Sequence, residues 1–468
     1  MPKSVAPARR LYARLLFVGS LLAGPLVTAS PADAAGGATM FNLANGMRVC
    51  VVPDHRVPVV THMVWYGIGA ADDAWGSSGL AHFLEHMMFK GTRTTKSGEL
   101  TRTVTGLGGR HNALTTHDST SYFQRVAKEH LRRVMELEAD RMQGLELTAA
   151  EALTERDVVR EERRGSVDGQ PIAALNEQML AQLYQNHPYG RPVLGWSHEI
   201  MTLTRDEAAR FYGRNYQPGN ALLVVAGDVT ADEVRALAEA TYGRNVPGPE
   251  LAPRRRPSEP EPVAARTLRL EDARAGAPLV LRYYLVPSQS SAAAGDAEAL
   301  AVLARILGGD DTSRLYRHLV LDAKIAVHAG ADFQGGARDS GRIAMLALAA
   351  GDTLPATLEA ALDRVVQGVV DASVSDDELR RAKRALEAEH VFQTDDQEKR
   401  ARRYGEALTN GLSLAHIEGE PARIAAVTAA DVARVAKAYF EPRRSVTGIL
   451  VRPAAVATAP APTSTPTK

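Results

Sequence analysis

Residues 79–91 carry apolar side chains at helical spacing. These side chains recur at intervals of three and four residues: Leu80, Phe83, Leu84, Met87 and Met88. Such spacing predicts an amphipathic helix with one buried face. Gly- and Ala-rich residues 67–79 precede it and are predicted to form a loop.

The rest of the chain alternates β-branched runs of strand length with longer helical patterns. Strands are predicted over residues 47–52, 57–66, 221–227, 278–286, 325–333, 341–349 and 446–451. Helices are predicted over residues 131–147, 149–166, 171–184, 204–216, 232–242, 296–307, 429–439 and 355–397, the last with a break near Ser373.

Two distant segments share one pattern. A helix starting at Thr204 reaches Pro218 and then a strand, and a helix starting at Thr428 reaches Pro442 and then a strand. The spacing from Thr to Pro is fourteen residues in both. We therefore expect an α+β fold built from two copies of one domain, of which only the first binds a metal.

The expected domains cover residues 38–243 and 266–452, each with helices packed on a mostly antiparallel sheet. Residues 244–265 are rich in Pro, Arg and Glu without apolar periodicity, which is typical of a linker. Residues 453–468 are rich in Ala, Pro and Thr and are predicted to be disordered.

The charge balance and the cysteine content limit the possible partners and cross-links of the protein. Lys and Arg together number 55, as do Asp and Glu. This balance argues against nucleic acid or an acidic membrane surface as the main partner. Cys50 is the only cysteine, so an intramolecular disulfide is impossible.

Residues 1–34 have the features of a secretory signal peptide. A basic start is followed by the apolar run 15–27 and by Ala32-Asp33-Ala34, a typical cleavage signal. The alternative is an uncleaved anchor, although Gly24 and Pro25 break the short apolar run. With no cysteine near the cleavage site to carry a lipid, we expect a periplasmic or secreted protein without stable membrane insertion. The pair Arg9-Arg10 does not decide between the general and the twin-arginine export routes.

The helix predicted over residues 79–91 carries candidate metal ligands. His82 and His86 are four residues apart and therefore lie on one face, and Glu85 lies between them in sequence. Two imidazoles at this spacing can bind one divalent ion, for which zinc is the natural candidate. A neighbouring carboxylate can take a proton from water bound to that ion. The order His-x-x-Glu-His is the inverse of the commoner His-Glu-x-x-His motif.

The helix predicted over residues 149–166 offers a third ligand. Glu155 and Glu162 are two turns apart and are expected to share a face with Val158 and Val159, whereas Glu161 points away. A carboxylate on such a face needs a partner. We therefore assign Glu162 as the third metal ligand and Glu155 as a residue that orients one of the ligands. The alternative is a solvated helix with Glu–Arg pairs.

Residues 112–126 are predicted to form two strand segments near a turn. An unpaired strand edge there would bind a peptide as an added strand, whereas the alternative is an ordinary hairpin. His111 and His117 are further candidate ligands or bystanders.

These motifs resemble the pitrilysin family of zinc metallopeptidases, which includes insulin-degrading enzyme and the mitochondrial processing peptidase. The resemblance covers residues 40–452 and rests on His82-x-x-Glu85-His86, on Glu155 and Glu162, and on the segments EHMMFKGT, NALTTHDSTSY, ADRM, ERDVVREE and NHPYG. It implies one Zn²⁺ per chain on His82, His86 and Glu162, with Glu85 as general base and Glu155 in support. It also implies that Asn112 and Ala113 hold the substrate backbone, and that two homologous domains form half of a clam-shell chamber.

One feature departs from the family. Its helper half offers an Arg and a Tyr, seven apart, to the scissile carbonyl, whereas Val320 and Val327 stand at the matching positions. Valine cannot donate the hydrogen bonds that stabilise an oxyanion. We therefore expect a homologous helper subunit to supply the Arg/Tyr pair.

The sequence thus predicts a periplasmic or secreted zinc endopeptidase acting on peptides or unfolded segments, as catalytic subunit of a heterodimer. The alternative is a non-enzymatic scaffold subunit that keeps the fold. A metal-storage or chaperone-like protein is a third possibility, but Glu85 has no role in either of these.

Overall fold

The computed structural model describes residues 37–453. The predicted signal peptide and residues 454–468 of the predicted tail lie outside the described residues. Within 37–453, no helix combines the length and the apolar character needed to cross a membrane.

Two separate β-sheets form the framework. The first has strand order β1-β2-β6-β3-β5-β4, and only its β2–β6 pair is parallel. Its strands are β1 (Thr39–Asn42), β2 (Arg48–Pro53), β3 (Val59–Tyr66), β4 (Arg110–Thr115), β5 (Thr120–Ala127) and β6 (Ala221–Gly227). The central strand β6 is buried along its whole length, as its run of Ala, Leu and Val predicts. Strand β4 lies at an edge with β5 as its one neighbour.

The second sheet repeats this arrangement with order β7-β11-β8-β10-β9, in which only the β7–β11 pair is parallel. Its strands are β7 (Arg266–Glu271), β8 (Leu279–Pro287), β9 (Ala326–Gln334), β10 (Ser340–Ala349) and β11 (Ser445–Val451). Apart from β1, the two sheets therefore match strand for strand.

Helices cover these sheets. In the first half they are α1 (Leu80–Met87), α2 (Glu99–Gly106), α3 (Leu131–Gly144), α4 (Ala149–Arg163), α5 (Pro171–Leu183), α6 (Ser197–Ile200), α7 (Arg205–Asn215) and α8 (Ala231–Ala240). In the second half they are α9 (Asp296–Gly308), α10 (Pro355–Asp371), α11 (Asp376–Asp395), α12 (Gln397–Thr409), α13 (Leu414–Glu418), α14 (Glu420–Ala426) and α15 (Ala429–Tyr439). The prediction over 355–397 had the right first break but missed the second, where Asp396 ends α11 and caps α12.

The repeat predicted from Thr204 and Thr428 is present in the fold. Each threonine caps its helix by accepting a hydrogen bond from the backbone N–H three residues later, and the acidic residue at that position bonds back. Helices α7 and α15 have 11 residues each, and each leads through a Pro-containing turn into a strand of 7 residues. The predicted α+β fold of two similar domains is confirmed.

The two halves exchange covering helices. In one cluster, apolar side chains of α5 pack on the second sheet: Leu175, Met179 and Leu183 against Leu281, Tyr283 and Val446. In another cluster, side chains of α12 pack on the first sheet: Ala401, Tyr404 and Leu408 against Met63, Trp65 and Val224. Each half thus supplies one helix that buries a sheet face of the other.

Residues 245–265 contain no helix or strand and join the halves. Arg256 in this segment bonds to the carboxylates of Asp72 and Asp118 in the first half and of Asp339 in the second, the last at 2.8 Å. The boundary proposed from composition falls in this segment and stays a prediction.

Candidate metal centre

Helix α1 starts from a backbone geometry that favours glycine. Gly79 has φ +87°, and a Cβ there would lie 2.5 Å from the carbonyl oxygen of Leu194. Asp73 accepts hydrogen bonds from the backbone N–H groups of Gly79 and Ala81, which lack partners inside the helix. Burial raises the pKa of Asp73 to about 8, against the effect of these hydrogen bonds. The start of the helix that carries both histidines is therefore fixed.

Three side chains from α1 and α4 converge on one point. Glu162 Oε2 lies 3.2 Å from His86 Nε2 and 3.9 Å from His82 Nε2. Ligand atoms of all three lie within 4.8 Å of one another, and this is the one such cluster found among residues 37–453. Tetrahedral zinc ligands at about 2.1 Å from the ion lie about 3.4 Å apart, a value that lies between the two separations of Glu162 from the histidines.

The protonation state also suits a metal. Burial, and secondly the neighbouring His86, lower the pKa of His82 to about 3, so its imidazole is neutral at pH 7. Neutral imidazole and ionised carboxylate are the forms that bind metals. The side chain of Glu162 is 43% exposed, which leaves the centre open to solvent on one side. Catalytic zinc sites keep such an open position.

Glu162 lies at the rim of its helix face. The buried positions of α4 are Ala152, Glu155, Val159 and Arg163, at spacings of three and four. The prediction that Val158 belongs to this face is wrong, because Val158 is 44% exposed. The buried stripe is centred between Glu155 and Val159, so that Val158 and Glu162 lie on its solvent side. Glu161 points away, as predicted, and pairs with Arg164 on the surface.

A buried ion pair fixes the end of α4. Arg163 donates to both carboxylate oxygens of Glu177 on α5, at 2.7 and 2.8 Å, and to the carbonyl oxygen of Gly195 at 2.8 Å. Bidentate pairs of this kind restrain both side chains. Since Arg163 follows Glu162 directly, this contact fixes the helical turn that supplies the third ligand.

Glu155 contacts a ligand as predicted. Its Oε2 lies 3.3 Å from His86 Nδ1, the nitrogen on the far side of the ring from Glu162. Its other oxygen, Oε1, accepts a hydrogen bond from Lys90 at 2.5 Å. A carboxylate behind a metal-binding histidine fixes the ring and its tautomer. Lys90 was missed from the sequence, although its spacing of four from His86 repeats that of the two histidines.

Glu85 is held by a residue from the edge strand. Thr115, at the end of β4, donates its hydroxyl to Glu85 Oε2 at 2.5 Å. Burial raises the pKa of Glu85, and the hydrogen bond from Thr115 partly opposes this. The sequence contains no signal for this contact, because it joins elements 30 residues apart.

Strand β4 is an edge strand that carries Asn112 and Ala113. Asn112 is exposed, and its Oδ1 accepts a hydrogen bond from the Ala113 N–H at 2.9 Å. The two candidate histidines nearby do not join the metal cluster. The His111 ring packs against Phe89, and His117 Nε2 bonds to the carbonyl oxygen of Arg191.

Val320 and Val327 lie in the second half. Val320 is in the π-helical turn Tyr316–Asp322 and packs partly on the core of that half, while Val327 on β9 is 56% exposed.

A pair of histidines from one helix, a glutamate from a second helix and a half-buried glutamate beside them form a candidate metal site with the inverzincin motif, on a duplicated α+β scaffold. Two family descriptions match the chain: "Insulinase (Peptidase family M16)" over residues 48–196 and "Peptidase M16 inactive domain" over residues 202–386. The chain belongs to the M16 family of peptidases, also called the pitrilysin family.

Relatives and solved structures agree with this assignment. The zinc protease PqqE of Helicobacter pylori is 33% identical over 295 residues, which cover 61% of this chain and 64% of that protein. The crystal structure of a protease from Helicobacter pylori superimposes with a TM-score of 0.84 at 28% identity, over 89% of this chain and 99% of that chain.

The periplasmic protease PqqL from Escherichia coli shares the fold at a TM-score of 0.77 and 21% identity. The match covers 91% of this chain but 48% of PqqL. One PqqL chain is therefore about twice as long as the part that this fold covers.

Proposed function

We propose that this chain is a zinc-dependent endopeptidase, exported from the cytoplasm and acting as the catalytic subunit of a heterodimer. The observation that carries the proposal is the convergence of His82, His86 and Glu162 on one point, next to the half-buried carboxylate of Glu85. A scaffold that only keeps the fold needs neither this ligand set nor a base beside it.

His82, His86 and Glu162 would hold the ion, and Glu155 would keep the ring of His86 in place. When bound, zinc would polarise the scissile carbonyl and make water more acidic. Glu85 would take the proton from the attacking water on its carboxylate and then pass it to the leaving amine nitrogen. Burial raises the proton affinity of Glu85, which suits a group that must accept and then release a proton near neutral pH.

Edge strand β4 would present the substrate. An extended peptide can add to this edge through backbone hydrogen bonds, with Asn112 and Ala113 among the residues that hold it. Since Thr115 at the end of the same strand bonds to Glu85, substrate docking and the base share one element. Strand addition requires an extended backbone, so the substrates would be peptides or unfolded segments.

A second, homologous subunit would complete the chamber. The exposed apolar Val327 and the half-buried Val320 give no hydrogen-bond donor for an oxyanion at those positions. In PqqL, one chain is long enough for two units of this size. Export is inferred from the signal peptide predicted over residues 1–34.

Two substitutions with a matched control test the proposal. Glu85→Gln should retain one zinc per chain but lose hydrolysis of quenched peptides, because an amide cannot accept the proton. Glu162→Gln should lose tightly bound zinc, because it removes the anionic ligand. Glu161→Gln, on the exposed side of the same helix, should do neither. An active Glu85→Gln variant would contradict the assigned base.

The need for a helper subunit is tested by measuring the peptidase activity of the zinc-loaded chain, first alone and then after co-expression with an M16 chain encoded next to it. We expect low activity alone and a large gain with the partner. Full activity of the isolated chain would contradict the heterodimer, whereas zinc binding without activity in either state would favour the scaffold alternative.

A further inference from the structure

We propose that Lys90 is a positioning residue of the metal centre, acting on His86 through Glu155. The inference rests on the proposed metal site. Its test is zinc affinity in the absence of substrate, so that it can fail or succeed independently of peptidase activity.

The carboxylate of Glu155 bridges two groups, one at each oxygen. Lys90 Nζ lies 2.5 Å from Oε1, and His86 Nδ1 lies 3.3 Å from Oε2. Among the described residues these are its two side-chain hydrogen-bond partners. The opposite ring nitrogen, His86 Nε2, faces Glu162 at 3.2 Å. The side chains thus form one continuous series of contacts, from Lys90 through Glu155 and His86 to Glu162.

Lys90 is needed in this series of contacts because Glu155 is buried. The side chain of Glu155 is 11% exposed, so its charge has little access to water. A carboxylate in such a place requires a compensating charge, which an imidazole in its metal-binding form does not supply. The side chain of Lys90 is 22% exposed, and its ammonium contacts the carboxylate and supplies this charge.

The backbone holds Lys90 where this contact can form. Its N–H bonds to the carbonyl oxygen of Met87, the last residue of α1, at 3.0 Å. The turn after the helix therefore carries the ammonium back under the face that bears His86. Without Lys90, Glu155 would be drawn toward water, and the imidazole of His86 would lose the group that fixes its rotation.

Loss of a residue behind a metal ligand typically weakens metal binding about 10- to 100-fold. Lys90 acts one contact further away, so we expect the zinc dissociation constant of Lys90→Met to rise about 5- to 10-fold. Lys90→Arg keeps the charge and should stay within about twofold of the parent, since arginine also pairs with carboxylates. Lys96→Met is the matched control, because Lys96 is an exposed lysine of the same loop.

The measurement is competition for zinc with a chromophoric chelator on the full chain. The absorption bands of the Co²⁺-loaded protein provide a second readout and should shift in Lys90→Met as the imidazole changes orientation. Thermal melting of the metal-free variants shows whether each is folded.

A double-mutant cycle separates a positioning role from a general effect on stability. If Lys90 acts through Glu155, Lys90→Met should cost no further affinity in a Glu155→Gln background. An additive loss there, or an unchanged zinc affinity in Lys90→Met, would overturn the proposal. Failure of Lys90→Arg to restore affinity in a folded protein would overturn it as well.

Discussion

Arg163→Met should destabilise the first half and loosen the metal site. The substitution removes the bidentate pair with Glu177 and the hydrogen bond to the carbonyl oxygen of Gly195, and keeps most of the apolar stem. Both members of the pair are buried, with Arg163 6% and Glu177 10% exposed. The carboxylate of Glu177 would be left in the interior without its partner.

Breaking a buried ion pair by removing one partner costs about 3–5 kcal/mol, most of it from the charge left behind. The matched control is Arg164→Met, which breaks the pair with Glu161 one residue further along. That pair is 73% and 63% exposed, and water screens such pairs so strongly that they add little to stability. The free energy of unfolding should therefore fall by about 3–5 kcal/mol in Arg163→Met and change little in Arg164→Met.

Urea denaturation followed by fluorescence measures this difference, and chelator competition on the same variants reports the zinc affinity. Only Arg163→Met should lose both stability and zinc affinity, because the last turn of α4 carries Glu162. The double variant Arg163→Met/Glu177→Leu should recover most of the stability, since it removes the unpaired charge. Equal small losses in the two single variants, or no recovery in the double variant, would refute this account of the pair.

Two further outcomes follow from the structure. Gly79→Ala should lower the free energy of unfolding by about 2–3 kcal/mol and weaken zinc binding, because the strained φ adds to the clash with Leu194. The control Gly76→Ala has the same φ in open space and should lower it by about 1–2 kcal/mol. Equal losses of thermal stability and of zinc affinity in the two variants would show that the clash is unimportant. Hydrogen bonds from Arg314 lower the pKa of Glu378 from 4.5 to about 2, so their contribution to stability is present above pH 4.5 and is lost as the pH falls toward 2. Since the pair is partly solvated, Arg314→Met should cost about 1–2 kcal/mol at pH 7 and much less at pH 2.5, and a difference in urea stability that is the same at both pH values would contradict this.

Local sequence patterns predicted most of the central elements. The predicted strand over residues 221–227 and the predicted helix over 429–439 have the observed bounds, because their burial follows directly from apolar runs and spacing. Strand β7 was missed, because no helix or strand was predicted over residues 266–271. It alternates charged and apolar residues at the edge of its sheet, where half of the side chains face water.

The candidate site was predictable as far as its chemistry lies within single helices. The spacing of His82 and His86, and the need for a third ligand, pointed to Glu162 before any coordinates. The roles of Thr115 and Arg163 depend on which elements meet in space, and no local pattern encodes that. Their partners are 30 and 14 residues away along the chain.

Because the two halves exchange α5 and α12, the molecule resembles a domain-swapped dimer whose two protomers are joined in one polypeptide. A protease cut between residues 245 and 265 would release no independent fragments, because each piece would keep the helix that covers a sheet of the other. The single polypeptide also fixes the two halves in a one-to-one ratio, so the half that carries His82, His86 and Glu162 always folds together with its companion.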